Sequence, residues 1–283
     1  MRFGDGPESD HFEDRTGGGG GLNLGGGLGM ILPLIASRFG IVGIVILGLG
    51  YCALTQFGGG GMLGGGGGGD SAGKSTLPQE QQRFLRQVLG STEQVWGQIF
   101  TQAGAQYRPT TLVAYTNYDQ SGCGAAQGAM GPFYCPSDQK IYIDPAFFEE
   151  LSRRFGAPGD FAQAYVIAHE VGHHIQNLEG TLDRAQTAQA RVGKAEGNQV
   201  QVGVELQADC YAGVWAARSG ALEQGDIEEG MRAAEAIGDD TLQKQSQGRV
   251  VPESFTHGSS EQRMEALRRG LSTGNPSNCN YAR

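Results

Sequence analysis

The residues best placed to do chemistry are two histidines with a glutamate beside the first. They form the run H-E-V-G-H at residues 169–173, inside a segment whose composition predicts a helix over residues 160–177. Because positions four apart lie on one face of a helix, His169 and His173 can each turn a ring nitrogen toward one metal ion. Glu170 can then act as a general base toward a water on that metal. The run therefore predicts a zinc site with hydrolytic chemistry.

A catalytic zinc site needs a third protein ligand, and a second predicted helix offers one. Residues 202–215 are helical in composition and place Glu205 and Asp209 four apart on one face. We expect Glu205 to be the third zinc ligand and Asp209 to accept the free N–H of a ligating histidine. Three ligands leave one coordination position open, whereas structural zinc usually takes four ligands rich in cysteine. Chance occurrence of the motif, or a purely structural metal, is the alternative.

The chain resembles the neutral zinc metallopeptidases of bacterial membranes. The resemblance covers nearly the whole chain and is carried by RFGDG at residues 2–6, GPFYCP at 131–136, HEVGHHIQ at 169–176, ELQADCYAG at 205–213 and THGSSEQR at 256–263. It implies an α+β, zincin-like metallopeptidase domain, mainly helical with a small sheet and preceded by one transmembrane helix. It also implies that Zn²⁺ binds the three ligands above, that Glu170 is catalytic, and that the substrate is a peptide or protein. The alternative is a non-catalytic envelope protein in which zinc stabilises a binding or scaffold domain.

Peptide hydrolysis also needs a cation or hydrogen-bond donor for the developing oxyanion. His257 and Arg263, where a predicted loop runs into a helix, are the candidates, and we assign His257 a catalytic role. An ordinary surface histidine beside helix-capping serines at residues 259–260 is the competing interpretation. Tyr211 is a more remote candidate, because a tyrosine at such a position more often belongs to the core. His174 lies about 140° around its helix from the first histidine, so we assign it to packing or to support of the ligands.

Length, charge and glycine content bound the domain organisation. The chain has 283 residues, 49 of them glycine, and a formal net charge of −9 without a Lys/Arg cluster. This composition argues against a nucleic-acid partner and against a polybasic membrane contact. We expect residues 1–38 to be a disordered acidic and glycine-rich segment, 39–57 a transmembrane helix, 58–77 a glycine-rich linker and 78–283 one zinc metallopeptidase domain.

The apolar segment at residues 39–57 carries no charged residue and is just long enough to cross a membrane as a helix. A cleaved signal peptide is the weaker alternative, because no small-x-small cleavage site is obvious. Cys52 raises lipidation as another, less favoured alternative. Arg38 precedes the segment, so the positive-inside rule predicts a cytoplasmic N-terminus. We therefore expect a single-span protein of the cell membrane whose catalytic domain lies outside the cytoplasm, in the periplasm.

The five cysteines bear on the same question of location. Cys123 and Cys135 bracket a short glycine-rich loop, and Cys210 and Cys279 can tie the second motif helix to the C-terminal tail. Two such disulfides would suit an oxidising compartment and would leave Cys52 unpaired in the membrane. Free buried cysteines are the alternative.

Residues 68–75 match the phosphate-loop pattern G-x-x-x-x-G-K-[ST]. That loop must follow a buried strand and open a helix, whereas here a glycine run precedes it and Pro78 follows three residues after the serine. We therefore expect no nucleotide.

The remaining elements follow from periodicity. Residues 79–104 carry apolar side chains at helical spacing, broken around Gly90, which predicts one or two amphipathic helices. Residues 111–116 and 140–144 read as strands, and residues 133–135 as a third. The strand at 140–144 is a candidate edge strand that binds the substrate backbone, with a plain core strand as the alternative.

Overall fold

The computed structural model describes residues 1–17 and 75–281, and within these ranges the chain forms eight α-helices and six β-strands. The helices are α1 (Gln79–Gln102), α2 (Ala146–Arg153), α3 (Asp160–Leu178), α4 (Thr181–Gln189), α5 (Lys194–Ser219), α6 (Asp226–Ala236), α7 (Asp239–Gln247) and α8 (Ser260–Thr273). The strands are β1 (Phe12–Asp14), β2 (Thr111–Ala114), β3 (Tyr118–Ser121), β4 (Gly124–Gln127), β5 (Phe133–Cys135) and β6 (Lys140–Ile143). The part of the chain described is thus mainly helical with a small sheet, as predicted.

The main sheet has the strand order β1-β2-β6-β5. Strands β1, β2 and β6 run parallel, and β5 is antiparallel to β6. Because β6 pairs on both sides, the core-strand interpretation of residues 140–144 is confirmed, and the candidate role as an edge strand is not. The edge on that side belongs to β5. A separate antiparallel hairpin is formed by β3 and β4.

The N-terminal segment is part of the folded domain. Strand β1 pairs with β2, with Phe12 opposite Leu112, and the Met1 ammonium donates to Asp160 at 2.6 Å. Helix α1 runs without a break through Gly90, where an added Cβ would lie 2.4 Å from the carbonyl oxygen of Pro7. Of the two predicted alternatives, one helix or two, the structure shows one, and the missing side chain of Gly90 lets the N-terminal segment approach the helix closely. The predicted disorder is wrong for residues 1–17.

This packing constrains any membrane topology. Residues 1–17 and 75–281 form one packed body, and a bilayer cannot divide a hydrogen-bonded sheet, so both parts lie on the same side of any membrane. A cytoplasmic N-terminus with an external catalytic domain would place β1 and β2 on opposite sides of a membrane, whereas the two strands pair in one sheet. The predicted transmembrane segment at 39–57 lies outside the described residues. Within the described ranges, no helix is both long and apolar enough to cross a membrane.

The core lies where the helices meet one another and one face of the sheet. Its largest fully buried side chains include Trp96, Trp215, Phe161, Tyr165 and Leu112. Helices α5 and α8 approach unusually closely, because an added Cβ at Gly270 would lie 2.0 Å from the carbonyl oxygen of Cys210. Glycine at this crossing lets two helix backbones touch.

Both predicted disulfides are present. Cys210 on α5 is bonded to Cys279 in the C-terminal tail, and Cys123 in the β3–β4 turn is bonded to Cys135 at the end of β5. The first bond holds the tail against the helix that carries Glu205. The second holds the β3–β4 hairpin against the edge strand. The predicted free cysteine, Cys52, lies outside the described residues.

Candidate metal centre

Three side chains from two helices converge as the sequence predicts. Nε2 of His169 lies 3.2 Å, and Nε2 of His173 3.5 Å, from Oε2 of Glu205. Tetrahedral zinc with bonds of about 2.0–2.1 Å places neighbouring ligand atoms about 3.3 Å apart. The donor atoms therefore already have the spacing that a zinc ion requires.

A glycine inside the histidine motif makes this convergence possible. Helices α3 and α5 cross at Gly172, where an added Cβ would lie 2.9 Å from Cα of Ala208. A side chain there would push the two helices apart. Because Glu205 precedes Ala208 by less than one turn, the close crossing brings its carboxylate to the two histidines.

Each histidine is oriented through its other ring nitrogen. Nδ1 of His169 donates to Oδ1 of Asp209 at 2.7 Å, as predicted for that carboxylate. Nδ1 of His173 donates to Oε1 of Gln176 at 2.9 Å. Both Nε2 lone pairs are thereby directed at Glu205, an arrangement that is repulsive unless a cation or proton lies between them. The donor set fits a metal ion.

The electrostatics agree with this interpretation. Burial lowers the pKa of His173, but the charge of Glu205 and its hydrogen bond outweigh burial and raise that pKa to about 9. Burial raises the pKa of Glu205, yet the neighbouring histidines outweigh it and hold that pKa well below its usual value. The carboxylate thus stays ionised and attracts positive charge, which a metal ion supplies as well as protons do.

Arg263 is not free to act on a substrate. Its Nε donates to Oδ2 of Asp209 and its terminal nitrogen to Oδ1, both at 2.9 Å, and Arg263 is only 3 % exposed. Tyr165, which the sequence analysis did not single out, donates to the same Oδ1 at 2.6 Å. Burial raises the pKa of Asp209, but Arg263 and His169 outweigh it and lower that pKa to about 2. The candidate oxyanion role of Arg263 is therefore wrong, and the residue fixes Asp209 instead.

His257 is held by a carboxylate that sequence reasoning missed. Oδ2 of Asp239 accepts the backbone N–H groups of Thr256 and His257 at 2.6 and 2.7 Å, and that of Gly258 at 3.2 Å. Oδ1 of Asp239 lies 3.3 Å from Nδ1 of His257. The imidazole lines the same cavity as the metal ligands, with Nε2 remaining for a substrate. The only sequence signal for Asp239 was its place at the start of a helix after Gly238.

The comparisons with known proteins decide the family. Residues 1–282 match the model of the family described as "Putative neutral zinc metallopeptidase". The chain belongs to this family. It is 46% identical over 284 residues, 99% of this chain and 98% of the relative, to the Escherichia coli K12 protein named "Uncharacterized protein YpfJ". It is 45% identical over 174 residues, 56% of this chain and 57% of the relative, to the Mycobacterium tuberculosis H37Rv protein named "Uncharacterized protein Rv2575". No solved structure matches the chain.

The other residues that the sequence analysis considered for the site have structural roles. Ser259 caps α8 in a capping box with Gln262, which confirms the serine part of the competing interpretation for this segment. Tyr211 donates to Glu179 at 2.8 Å and packs its ring on Trp96. His174 is fully buried, and its two ring nitrogens bond the Tyr134 hydroxyl and the carbonyl oxygen of Arg108. Both aromatic candidates thus belong to the core.

A cavity of about 500 Å³ opens over the metal ligands. Glu170 lines it and is 7 % exposed, and burial raises the pKa of its carboxyl even though both motif histidines oppose the shift. A general base with a raised pKa is better matched to taking a proton near neutral pH. The apolar part of the lining comes from the β4–β5 loop, β5 and five helices, and includes Met130, Pro132, Phe133, Phe147, Val166 and Leu242.

Proposed function

We propose that this protein is a zinc-dependent peptidase. The observation that carries the proposal is the spacing of His169, His173 and Glu205, whose donor atoms match tetrahedral zinc inside a cavity that also contains Glu170. The family match supports the reaction class. Three protein ligands leave a coordination position for water or substrate, as in catalytic rather than structural zinc sites.

Bound zinc would supply Lewis-acid chemistry, polarising both the attacking water and the scissile carbonyl. The protein's residues perform the proton transfers. Glu170 takes a proton from the attacking water and delivers it to the departing amine. His257 acts as an imidazolium whose Nδ1 faces Asp239, and it donates from Nε2 to the carbonyl oxygen as negative charge develops there. Asp209 and Gln176 keep the two histidines in the tautomer that presents Nε2 to the metal.

Glu170→Gln separates catalysis from metal binding. We expect the variant to retain one zinc per chain and to lose turnover by at least about 100-fold, because general-base catalysis contributes roughly 10²–10⁴. Zinc content and peptide cleavage are measured on the same sample. Glu196→Gln, an exposed change on the helix that carries Glu205, is the matched control and should keep both properties. Hydrolysis retained by the zinc-loaded Glu170→Gln protein would contradict the mechanism.

The competing proposal is a scaffold whose zinc only stabilises the fold. Burial and pairing of the ligands fit either role, so zinc content alone does not separate them. A peptide-library assay with and without a chelator does. The peptidase predicts cleavage that stops on chelation and returns with zinc, whereas the scaffold predicts no cleavage under either condition.

For location, we propose an extracytoplasmic domain in an oxidising compartment of the cell envelope. The two disulfides support an oxidising compartment. The packing of β1 further requires residues 1–17 to share that compartment. Asp5→Cys and Arg153→Cys, both at exposed positions, test this with a membrane-impermeant thiol reagent on intact cells. Both should be labelled above the background of the parent protein, and labelling of one alone would refute the shared side.

A further inference from the structure

Resting on the proposed peptidase function, we propose that the cavity accepts the interior of an extended peptide and cleaves next to a large apolar side chain, not at a free chain end. Three features of the described residues carry this proposal: the apolar lining of the cavity, the pairing of its charged groups and the open edge of β5.

The apolar lining is extensive and accessible. Met130, Phe133 and Phe147 are half-buried rather than sealed in the core, so a substrate side chain can displace water from them. Val166 lies one turn before Glu170 on the same face of α3, which extends the apolar surface to the catalytic groups. Burying a large aliphatic or aromatic side chain against such a surface stabilises a complex by roughly 1.5–3 kcal/mol. The lining therefore selects a bulky apolar residue close to the scissile bond.

The charged groups in the cavity do not suit a free terminus. Arg263 is the one Arg or Lys among the described lining residues; its Nε and one terminal nitrogen donate to Asp209, and the other terminal nitrogen donates to the carbonyl oxygen of Ile237. A C-terminal carboxylate would find no free Arg or Lys side chain among these lining residues, and burying it unpaired is costly. Asp239 already accepts three backbone N–H groups and faces His257, and Glu205 faces His169 and His173. Asp183 is exposed, where water screens its attraction for an N-terminal ammonium.

The edge strand offers a place for an extended chain. Strand β5 pairs with β6 on one side, and its other edge makes no backbone hydrogen bond to the described residues. Phe133 and Tyr134 of β5 line the cavity, and Pro132 and Pro136 flank the strand. Flanking prolines are a common protection of an exposed sheet edge. An extended substrate can add to this edge through main-chain hydrogen bonds, which suits the interior of a chain better than a free end.

The first experiment compares chain ends. Zinc-loaded full-length protein is given a peptide library in two forms, one with free termini and one acetylated and amidated, and products are read by mass spectrometry. We expect equal cleavage of both forms, at internal bonds that share a large apolar residue at one flanking position. Cleavage confined to free-terminus peptides would overturn the proposal while leaving the peptidase function standing. Internal cleavage without an apolar preference would overturn it too.

The second experiment changes the lining. Met130→Lys places a cation in the cavity, whereas Ile227→Lys places one on α6 at a 46 % exposed position outside it. For blocked peptides with an apolar residue, we expect Met130→Lys to lower kcat/KM by about tenfold, the scale of a pocket mismatch, and Ile227→Lys to leave it unchanged. For peptides with an acidic residue at that position, Met130→Lys should instead raise kcat/KM. Equal responses of the two variants would contradict the assigned lining.

A binding measurement distinguishes failure of this inference from failure of the proposed peptidase function. On the Glu170→Gln background, calorimetry should show that blocked apolar peptides bind and that Met130→Lys weakens them about tenfold. If zinc-loaded wild type cleaves no peptide of either library form, the proposed function fails and this inference fails with it. If cleavage occurs but binding does not depend on an apolar residue, only the inference fails.

Discussion

The protein uses carboxylate–arginine pairs in two regions, and they differ in burial. Under the metal ligands, Asp209 and Arg263 form a two-pronged pair whose side chains are 0 % and 4 % exposed. On the N-terminal strand, Glu13 bonds Arg15 and Lys140 at the surface, where the glutamate side chain is 37 % exposed. The chemistry of the two pairs is the same. Only the first also touches a candidate metal ligand, since Asp209 accepts from Nδ1 of His169.

The difference in burial explains the different roles of the two pairs. A surface pair contributes little, because water and salt screen it and because long side chains lose freedom when they are ordered. A buried pair costs desolvation to form, but removing one partner leaves an uncompensated charge in the core. The buried pair therefore positions the side chain of His169 at a cost in desolvation energy, whereas the surface pair only helps to hold β1 on the sheet.

Asp209→Asn should give the largest effect of this comparison. It leaves Arg263 without an ionised partner, which destabilises the fold by about 3–5 kcal/mol. It also releases His169 from its tautomer, which weakens zinc binding by about 10- to 100-fold. Urea unfolding and a zinc competition titration measure the two quantities. Asp183→Asn, at an exposed position on the rim of the cavity, is the control and should change stability by less than about 0.5 kcal/mol.

Gly270→Ala tests whether helix packing holds the buried pair in place. The new methyl group would meet the carbonyl oxygen of Cys210 on α5 and push α8, which carries Arg263, away from Asp209. We expect a loss of about 1–3 kcal/mol and weaker zinc binding. Gly97→Ala is the matched control, because no atom lies within 4 Å of its new Cβ, and it should stabilise α1 by up to about 1 kcal/mol. Unchanged zinc affinity in Gly270→Ala would show that the crossing does not set the site.

Glu13→Gln should have the smallest effect, below about 1 kcal/mol, with zinc binding unchanged. Burial raises the pKa of Glu13, but Lys140 and Arg15 outweigh burial and lower that pKa below its usual 4.5. The pair therefore stabilises the fold above pH 4.5, and this contribution is lost as the pH falls through the lowered pKa. Unfolding curves of wild type and variant should converge in acid. A double-mutant cycle with Lys140→Gln isolates the pair.

Local patterns predicted the centre of the site well. Helical spacing alone indicated that His169 and His173 share a face and that Glu205 and Asp209 share another, and the structure confirms both. The same reasoning was wrong about Arg263, because a side chain's partner is set by which helix packs against its own. It missed Asp239 and Tyr165 for the same reason: nothing in the spacing of their neighbours ties them to the histidines.

Local patterns also could not place the N-terminal segment. Residues 1–17 lack the apolar content of a domain on their own, so composition favoured disorder, yet β1 gains its stability from β2, about 100 residues away along the chain. Gly90 looked like a helix break for a related reason. Its role is visible only when the segment that packs on it is known.

By itself the sequence determined which residues could bind zinc, which glutamate could move a proton, and that both disulfides could form, because these depend on residue type and on spacing within single elements. Only the tertiary structure decided which edge of the sheet is open, how Arg263 is neutralised, and where the N-terminal strand lies. These depend on contacts between elements far apart in the chain, and no local periodicity records them. The approach of α3 and α5 at Gly172 depends on both, since it brings the residues of two predicted helices together at one candidate metal centre.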